Sequence, residues 1–289
     1  MKIIQCNKFF YHFGGAERYY FDLSSILADK GHTVIPFAMR SLNNYPSNFS
    51  DYFTPPFDFS SFSLTHIVKA PSIVYSLSSR RKMRALIEKV DPDIAHIHNI
   101  YHQLSTSILD ALAQHSIPII MTVHDYKIIC PNYTLFTDNA VCQRCKDGNY
   151  LHCVAHKCLK GSYALSMLAA CEMFFTRLRR TYTKHISYFI APSYFVRNKL
   201  IEFGIPQKKV KYIKHAIRLD GTGASASGSS PKEPLLLYFG KLYPHKGIKT
   251  FIKAARAFPK MRTLIVGDGP PSYERELHRF AAEKSASHI

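Results

Sequence analysis

The sequence predicts an α/β fold built on a mainly parallel sheet that is covered on both faces. Two observations carry this. Apolar runs of strand length alternate with segments of helical periodicity along most of the chain, the pattern of repeated βαβ units. At 289 residues, 46% hydrophobic and 20% charged, the chain can bury a sizeable core and is too apolar for a disordered or fibrous protein.

Taken in order, KIIQC (2–6) reads as the first strand. A helix from about Ala16 follows, with Tyr20, Leu23, Ile26 and Leu27 on one face and Gly31 as its stop. HTVIPFAM supplies the second strand. After an irregular Ser-, Pro- and Phe-rich stretch (41–64), a basic helix at 72–90 leads to the strand IAHIH (94–98). A helix near 104–115 and the strand PIIMTV (118–123) repeat the unit. Residues 124–161 interrupt the rhythm with cysteines, histidines and turn formers. A long helix (162–183), the strand SYFIAPS, a helix at 193–203 ending at Gly204 and the strand VKYIKHA restore it.

Residues 1–217 thus read as one domain, with a Cys-rich insertion at 130–160. Residues 218–234 contain GTGASASGSSP, which is linker composition. LLLYFG (235–240), a helix from Gly247, TLIVG (263–267) and a helix from Ser272 open a second α/β domain over 235–289. Its 58 residues from Lys232 supply two strands and two helices, less than half of what a parallel sheet covered on both faces needs. The expectation is a truncated domain whose sheet edge is an aggregation liability.

The formal charge is +18, and it is uneven. Residues 1–150 hold 14 Lys and Arg against 12 Asp and Glu, and residues 151–289 hold 24 against 8. Between Lys157 and Arg218, 13 basic side chains face only Glu172 and Glu202. With screening over about 8 Å, that surface stays positive and calls for an anionic partner. No nucleic-acid module accompanies the charge, so a small phosphorylated ligand or an acidic membrane face is the better expectation. MKIIQCNKFF runs directly into a strand pattern, and no stretch approaches the roughly 18 to 20 uncharged apolar residues of a membrane span. A soluble cytoplasmic protein, peripheral at most to the inner face of a membrane, is expected.

Three loops carry ligand-binding groups: His12 to Arg18, with Gly14, Gly15 and Glu17; His98 to His102; and His124-Asp125-Tyr126. Strands of a parallel sheet end along one rim, so the loops converge on one crevice. Gly14 and Gly15 stand before a helix, where backbone N–H groups and the helix dipole receive a phosphate, or else form an ordinary tight turn. In the second domain Lys241 follows a strand and Lys246 opens a helix. Two such cations stabilise a departing diphosphate without a metal ion, or are simply solvated lysines. Gly267-Asp268-Gly269-Pro270 is a further turn suited to meeting a ligand backbone-first.

In this order, GGAERYYFDLSSILADKGHTV, PDIAHIHN, PIIMTVHDYKIICPN, YFIAPSYFVRNKLIEFGI, LYFGKLYPHKGI and LIVGDGP resemble the retaining glycosyltransferases of family 4, which have the GT-B fold. The resemblance implies two Rossmann-like domains, the first on the acceptor side and the second binding a nucleoside diphosphate sugar. It implies transfer of a hexose-type unit to a surface polysaccharide or lipid-linked glycan, with no cofactor required. It places Gly14 and Gly15 near the donor diphosphate, His124 near the reacting sugar, and Lys241 and Lys246 on the diphosphate. His98, Asp125 and Glu17 are expected on the acceptor side. Lys241 replaces the family's usual arginine, keeping the charge but losing the bidentate fork. The family's two-glutamate motif lies several dozen residues beyond GDGP, and the chain ends at Ile289 before it. The alternative is therefore a truncated, inactive chain that binds only acceptor or a partner.

Two features stand outside this reading. Cys142-x-x-Cys145 with Cys153 and Cys158 approaches the spacing of a structural zinc site, the other reading being free thiols in an ordered insertion. The helix at 162–183 combines Leu165, Leu168, Met173, Phe174 and Phe175 with Arg177, Arg179, Arg180 and Lys184. It reads either as an interfacial helix at an anionic membrane or, preferably, as a core helix with a basic end.

Overall fold

A computed structural model describes residues 1–56, 71–218 and 234–282. Residues 57–64 of the irregular stretch, 219–233 of the expected linker and 283–289 lie outside the described residues. Contacts divide the chain into two compact units, Met1–Thr137 with Cys142–Arg218, and Asp138–Val141 with Leu219–Ile289.

As far as the expected linker, the strands are β1 (Lys2–Cys6), β2 (Thr33–Phe37), β3 (Ile94–Ile97), β4 (Ile119–Thr122), the two-residue β5 (Phe136–Thr137) and β6 (Ala140–Val141), β7 (Tyr188–Ala191) and β8 (Val210–Tyr212). Six of them form an all-parallel sheet in the order β2-β1-β3-β4-β7-β8. Ile4, Ile35, Ile97, Phe189 and Ala191 are fully buried in it, as expected for strands covered on both faces. The helices are α1 (Gly15–Asp29), α2 (Leu77–Val90), α3 (Ser107–Gln114), the short α4 (Leu151–Ala155), α5 (Tyr163–Leu178), α6 (Thr181–His185) and α7 (Tyr194–Glu202). From β1 the chain steps one way to β2, then back across to β3 and onward. Right-handed crossovers therefore put α1 on one face and α2 and α3, which pack together, on the other.

Serine caps fix several helix starts. The Ser76, Ser162 and Ser193 side chains accept the N–H groups of Ser79, Leu165 and Val196, each cap stabilising its helix by about 1 kcal/mol. The helix expected at 72–90 is interrupted at 75–76, between a helical turn at 71–74 and α2, which Ser76 caps. The continuous helix expected at 162–183 is corrected to α5 and α6. Arg180 stands between them with φ 52°, in the left-handed region, and the turn lets Arg179 reach Asp110 while Tyr182 enters the core. On the expected face of α1 Tyr20 is buried and Leu23, Ile26 and Leu27 are half-buried, while Glu17, Tyr19 and Asp22 are buried in addition. The helix turns its polar flank toward the ends of the strands, where Tyr19 packs on histidines.

The second unit holds parallel β9 (Leu235–Phe239) and β10 (Arg262–Val266), with α8 (Ile248–Ala255) and α9 (Pro271–Ala282). Leu242, Ile248, Ile252, Tyr273 and Leu277 form its core, while alternate strand residues Leu237 and Phe239 are exposed. The GDGP turn packs against the segment after β9. A Cβ on Gly267 would stand 1.8 Å from the Gly240 carbonyl oxygen, and one on Gly269 2.1 Å from that of Leu242. The Leu242 N–H donates to the Asp268 carbonyl at 2.8 Å. Nothing lies within 4 Å of a Cβ built on Gly15. Gly269→Ala is therefore expected to destabilise this unit by about 1–3 kcal/mol, read by hydrogen exchange of the amides in 235–282. Gly15→Ala should leave stability unchanged or slightly raised.

Candidate active site

The strand order reverses between β1 and β3. At such a switch point adjacent loops diverge and a crevice opens beyond the carboxyl ends of the strands. A cavity of about 1560 Å³ lies there, with walls that include Lys8, Gly14, Gly15, Glu17, His102 and Asp125. Phe9, Tyr11, Phe13, Tyr45, Tyr101 and Tyr133 add an aromatic lining. Three loops that the sequence singled out do converge on one rim.

Asn7, just after β1, ties the loops together. Its Oδ1 accepts the Asn99 N–H at 3.2 Å, and its Nδ2 donates to the Phe9 carbonyl at 2.9 Å and to Glu17 Oε1 at 3.2 Å. Glu17, expected on the acceptor side, is buried, and its carboxylate lies beneath Gly14. Gly14 is extended (φ −163°) and caps α1 without a side-chain bond. No positive φ and no close contact demands glycine at 14 or 15, so the tight-turn reading lacks its usual cause. The two bare positions leave the α1 N-terminus open to the cavity.

The Asp125 Oδ1 accepts the Lys127 N–H at 2.9 Å. Burial nevertheless raises its carboxyl to about 6, against the pull of that bond and of Lys8 and Lys127. Lys8, itself held below the usual ammonium range by burial, reaches over the Phe9 and Tyr101 rings.

Behind the rim lies a stack of imidazoles. His98 Nδ1 is 2.9 Å from His124 Nε2, His96 stacks on His98, and His215 packs on Tyr19 and His124. His96 Nε2 bonds Thr122 Oγ1 at 2.8 Å. Burial lowers His96 to about 4, His124 to about 3 and His98 well below 6.5. All are therefore neutral at pH 7, and in the His98–His124 pair one ring donates while the other accepts. His98, expected on the acceptor side, is fully buried and bonded to His124, and neither ring is among the residues that line the cavity. His96, His215 and Tyr19 were not legible as site residues, since the strand and helix patterns absorbed them.

A buried charge cluster underlies the cavity. Lys127 Nζ lies 2.7 Å and His102 Nδ1 3.0 Å from Glu172 Oε2. Burial alone would raise the Glu172 carboxyl, but His102 and Lys127 hold it at about 2. The only acid of a mostly apolar helix was the available signal for this pair.

Lys241 and Lys246 belong to the second unit. Lys241 Nζ pairs with Asp268 at 2.7 and 2.9 Å, both side chains being exposed, and Lys246 ends a short turn of helix before Gly247. Among the cysteines, all seven are free thiols. Cys130, Cys142, Cys145, Cys153 and Cys158 line one small cavity. No group of three or more His, Cys, Asp or Glu among the described residues is placed to hold a metal ion, so the expected zinc site at Cys142, Cys145, Cys153 and Cys158 is not formed there. Cys145 and Cys153 instead pack in an apolar cluster, and burial drives both thiols up to about 12.

Glu172→Gln leaves Lys127 without its counter-charge and is expected to cost about 3–5 kcal/mol in denaturant unfolding. Because the Glu172 carboxyl is depressed in the folded state, its contribution is intact above the unfolded value near 4.5 and is lost as pH falls toward about 2. The stability difference between wild type and variant should therefore narrow over that window.

The sequence profile of glycosyltransferase family 4 matches residues 13–220. No curated protein matches the chain in sequence. Solved structures do match in fold. HepE from Anabaena, in complex with UDP and glucose, is 15% identical with a TM-score of 0.57, covering 99% of this chain and 67% of its own. The catalytic domain of starch synthase IV from Arabidopsis thaliana, bound to ADP and acarbose, is 13% identical with a TM-score of 0.56, covering 99% and 72%. The lipopolysaccharide outer core galactosyltransferase WaaB, in its apo form, is 14% identical with a TM-score of 0.52, covering 99% and 66%. The profile spans more than half of the chain, its loops build the crevice at the switch point, and the fold is that of GT-B transferases: the chain belongs to glycosyltransferase family 4.

Proposed function

We propose that this chain takes part in retaining transfer of a hexose-type unit from a nucleoside diphosphate sugar to a hydroxyl of a surface polysaccharide or lipid-linked glycan. The observation that carries the reading is the α1 N-terminus, bare at Gly14 and Gly15, opening into an aromatic-lined cavity beside Asp125. Free N–H groups at a helix start suit a phosphate, and aromatic faces with a few fixed polar groups suit a saccharide. UDP and glucose in HepE are consistent with this donor class.

In this scheme the acceptor hydroxyl oxygen bonds to the anomeric carbon while the diphosphate oxygen leaves with the bonding pair and takes up the hydroxyl proton. Gly14 and Gly15 donate backbone hydrogen bonds to the diphosphate, and Lys241 and Lys246 stabilise the charge growing on it. Lys241 exchanges its Asp268 partner for the phosphate. His124 orients the transferred sugar, its tautomer set by His98. Ionised Asp125 accepts a hydrogen bond from the acceptor hydroxyl, with Glu17 holding the glycine loop through Asn7. Domain 1–217 takes the acceptor side, and 235–289 the donor side.

Transfer and hydrolysis assays over a panel of nucleoside diphosphate sugars test the reading. Turnover with at least one donor is expected. The Lys241→Ala/Lys246→Ala variant should lose about 10²–10³-fold in kcat/KM, and full activity in it would refute the assigned roles. With Asp125 ionising near 6, activity should fall as pH drops through 6, and Asp125→Asn should be slow and flat there. Binding of donor or glycan without any turnover would favour a non-catalytic, acceptor-binding chain.

A further inference from the structure

Helix α5 is inside out. Its charged residues are Glu172 and Arg177, and Glu172 is buried. Along the outer face Tyr163, Met167, Cys171, Phe174 and Leu178 succeed one another at spacings of three and four, the period of one helix face, and all are exposed, Phe174 at 61% and Leu178 at 73%. A solvent-facing helix surface normally carries the polar residues, and a contiguous apolar one marks a contact site. The preference for a core helix is thus half right: Leu165 and Met173 are buried, and Phe174 is not.

The surroundings of the stripe are basic. Lys157 Nζ lies 4.4 Å above the Tyr163 ring at one end. At the other end Lys146, Arg177 and Arg180 line a cavity of about 360 Å³. Of the two acids between Lys157 and Arg218, Glu172 is buried with Lys127, and Glu202 is paired with Lys146 and Lys199. Exposed Asp147, next to the Gly148 on which Arg177 packs, opposes these cations. Two copies meeting through this face would bring like charges together, and a nucleic acid has no use for the apolar stripe. A surface that is apolar within and anionic at its boundary satisfies both features.

We propose that the outer face of α5 docks on an anionic lipid surface, with Tyr163, Met167, Phe174 and Leu178 entering the boundary between headgroups and acyl chains and Arg177 and Arg180 meeting lipid phosphates. Leu165, on the inner side of the same helix, and Lys160 just before it line the large cavity, so docking brings that cavity toward the lipid. Lipid docking through this face is independent of glycosyl transfer.

Sedimentation of the full chain with phosphatidylcholine vesicles, with and without phosphatidylglycerol, is the test. Binding is expected to the anionic vesicles and to weaken in about 0.5 M salt. Phe174→Ser/Leu178→Ser should lower it at least about tenfold with an unchanged circular dichroism melt. Arg180→Gly suits the left-handed backbone there and should lower only the binding to anionic vesicles. Absence of binding, equal binding to both vesicle types, or an unaffected serine variant would overturn the proposal. So would suppression by inorganic phosphate alone at unchanged ionic strength, which would indicate a free-anion site. A dimer that the serine variant dissociates, without vesicle binding, would assign the face to a second copy and equally overturn it.

Discussion

The salt bridge between Lys127 and Glu172 constrains more of this molecule than its two side chains. A carboxylate taken fully out of water is tolerable only with a cation and further hydrogen bonds around it. Glu172 can satisfy that demand only by pointing from α5 into the loop that follows β4. The demand fixes the rotation of α5 about its axis. It presses Leu165 and Met173 inward and leaves the opposite, equally apolar side facing out. The same bond anchors the loop carrying His124 and Asp125, so the cavity wall and the outward stripe follow from one electrostatic requirement.

The reversal of strand order supplies the complementary geometry. With β1 and β3 adjacent and their connections leaving in opposite directions, the chain's own topology holds a space open above them, and Asn7 sets its floor. The polar groups there are buried enough to have displaced pKa values yet remain accessible to a ligand, the combination that characterises functional sites. The second unit shows a contrasting economy: the exposed Lys241 is already paired with Asp268, so its charge is compensated within the unit.

Much of this was legible in the residues because periodicity and strand-end loops are local signals. The six strands, α1, α7 and the convergence of the Gly14, His98 and His124 loops followed from pattern alone. What was missed depends on partners distant in sequence. A left-handed Arg180 breaks a helix whose propensity is continuous, because Arg179 has Asp110 to reach. At Gly267 and Gly269 the carbonyls of Gly240 and Leu242, distant in sequence, leave no room for a side chain. The cysteine spacing suggested a metal, while the thiols face an apolar cavity. His96 and His215 look like ordinary strand and loop residues until the sheet stacks them on His98.

The inverted helix has one more consequence, and it concerns covalent chemistry. Six of the seven thiols are buried or half-covered, and the remaining one, Cys171, lies in the middle of the outward apolar stripe. A maleimide or spin label directed at accessible thiols would therefore collect there first. The chain thus carries a built-in attachment point at the centre of the face whose surroundings are most worth watching, with no engineered cysteine.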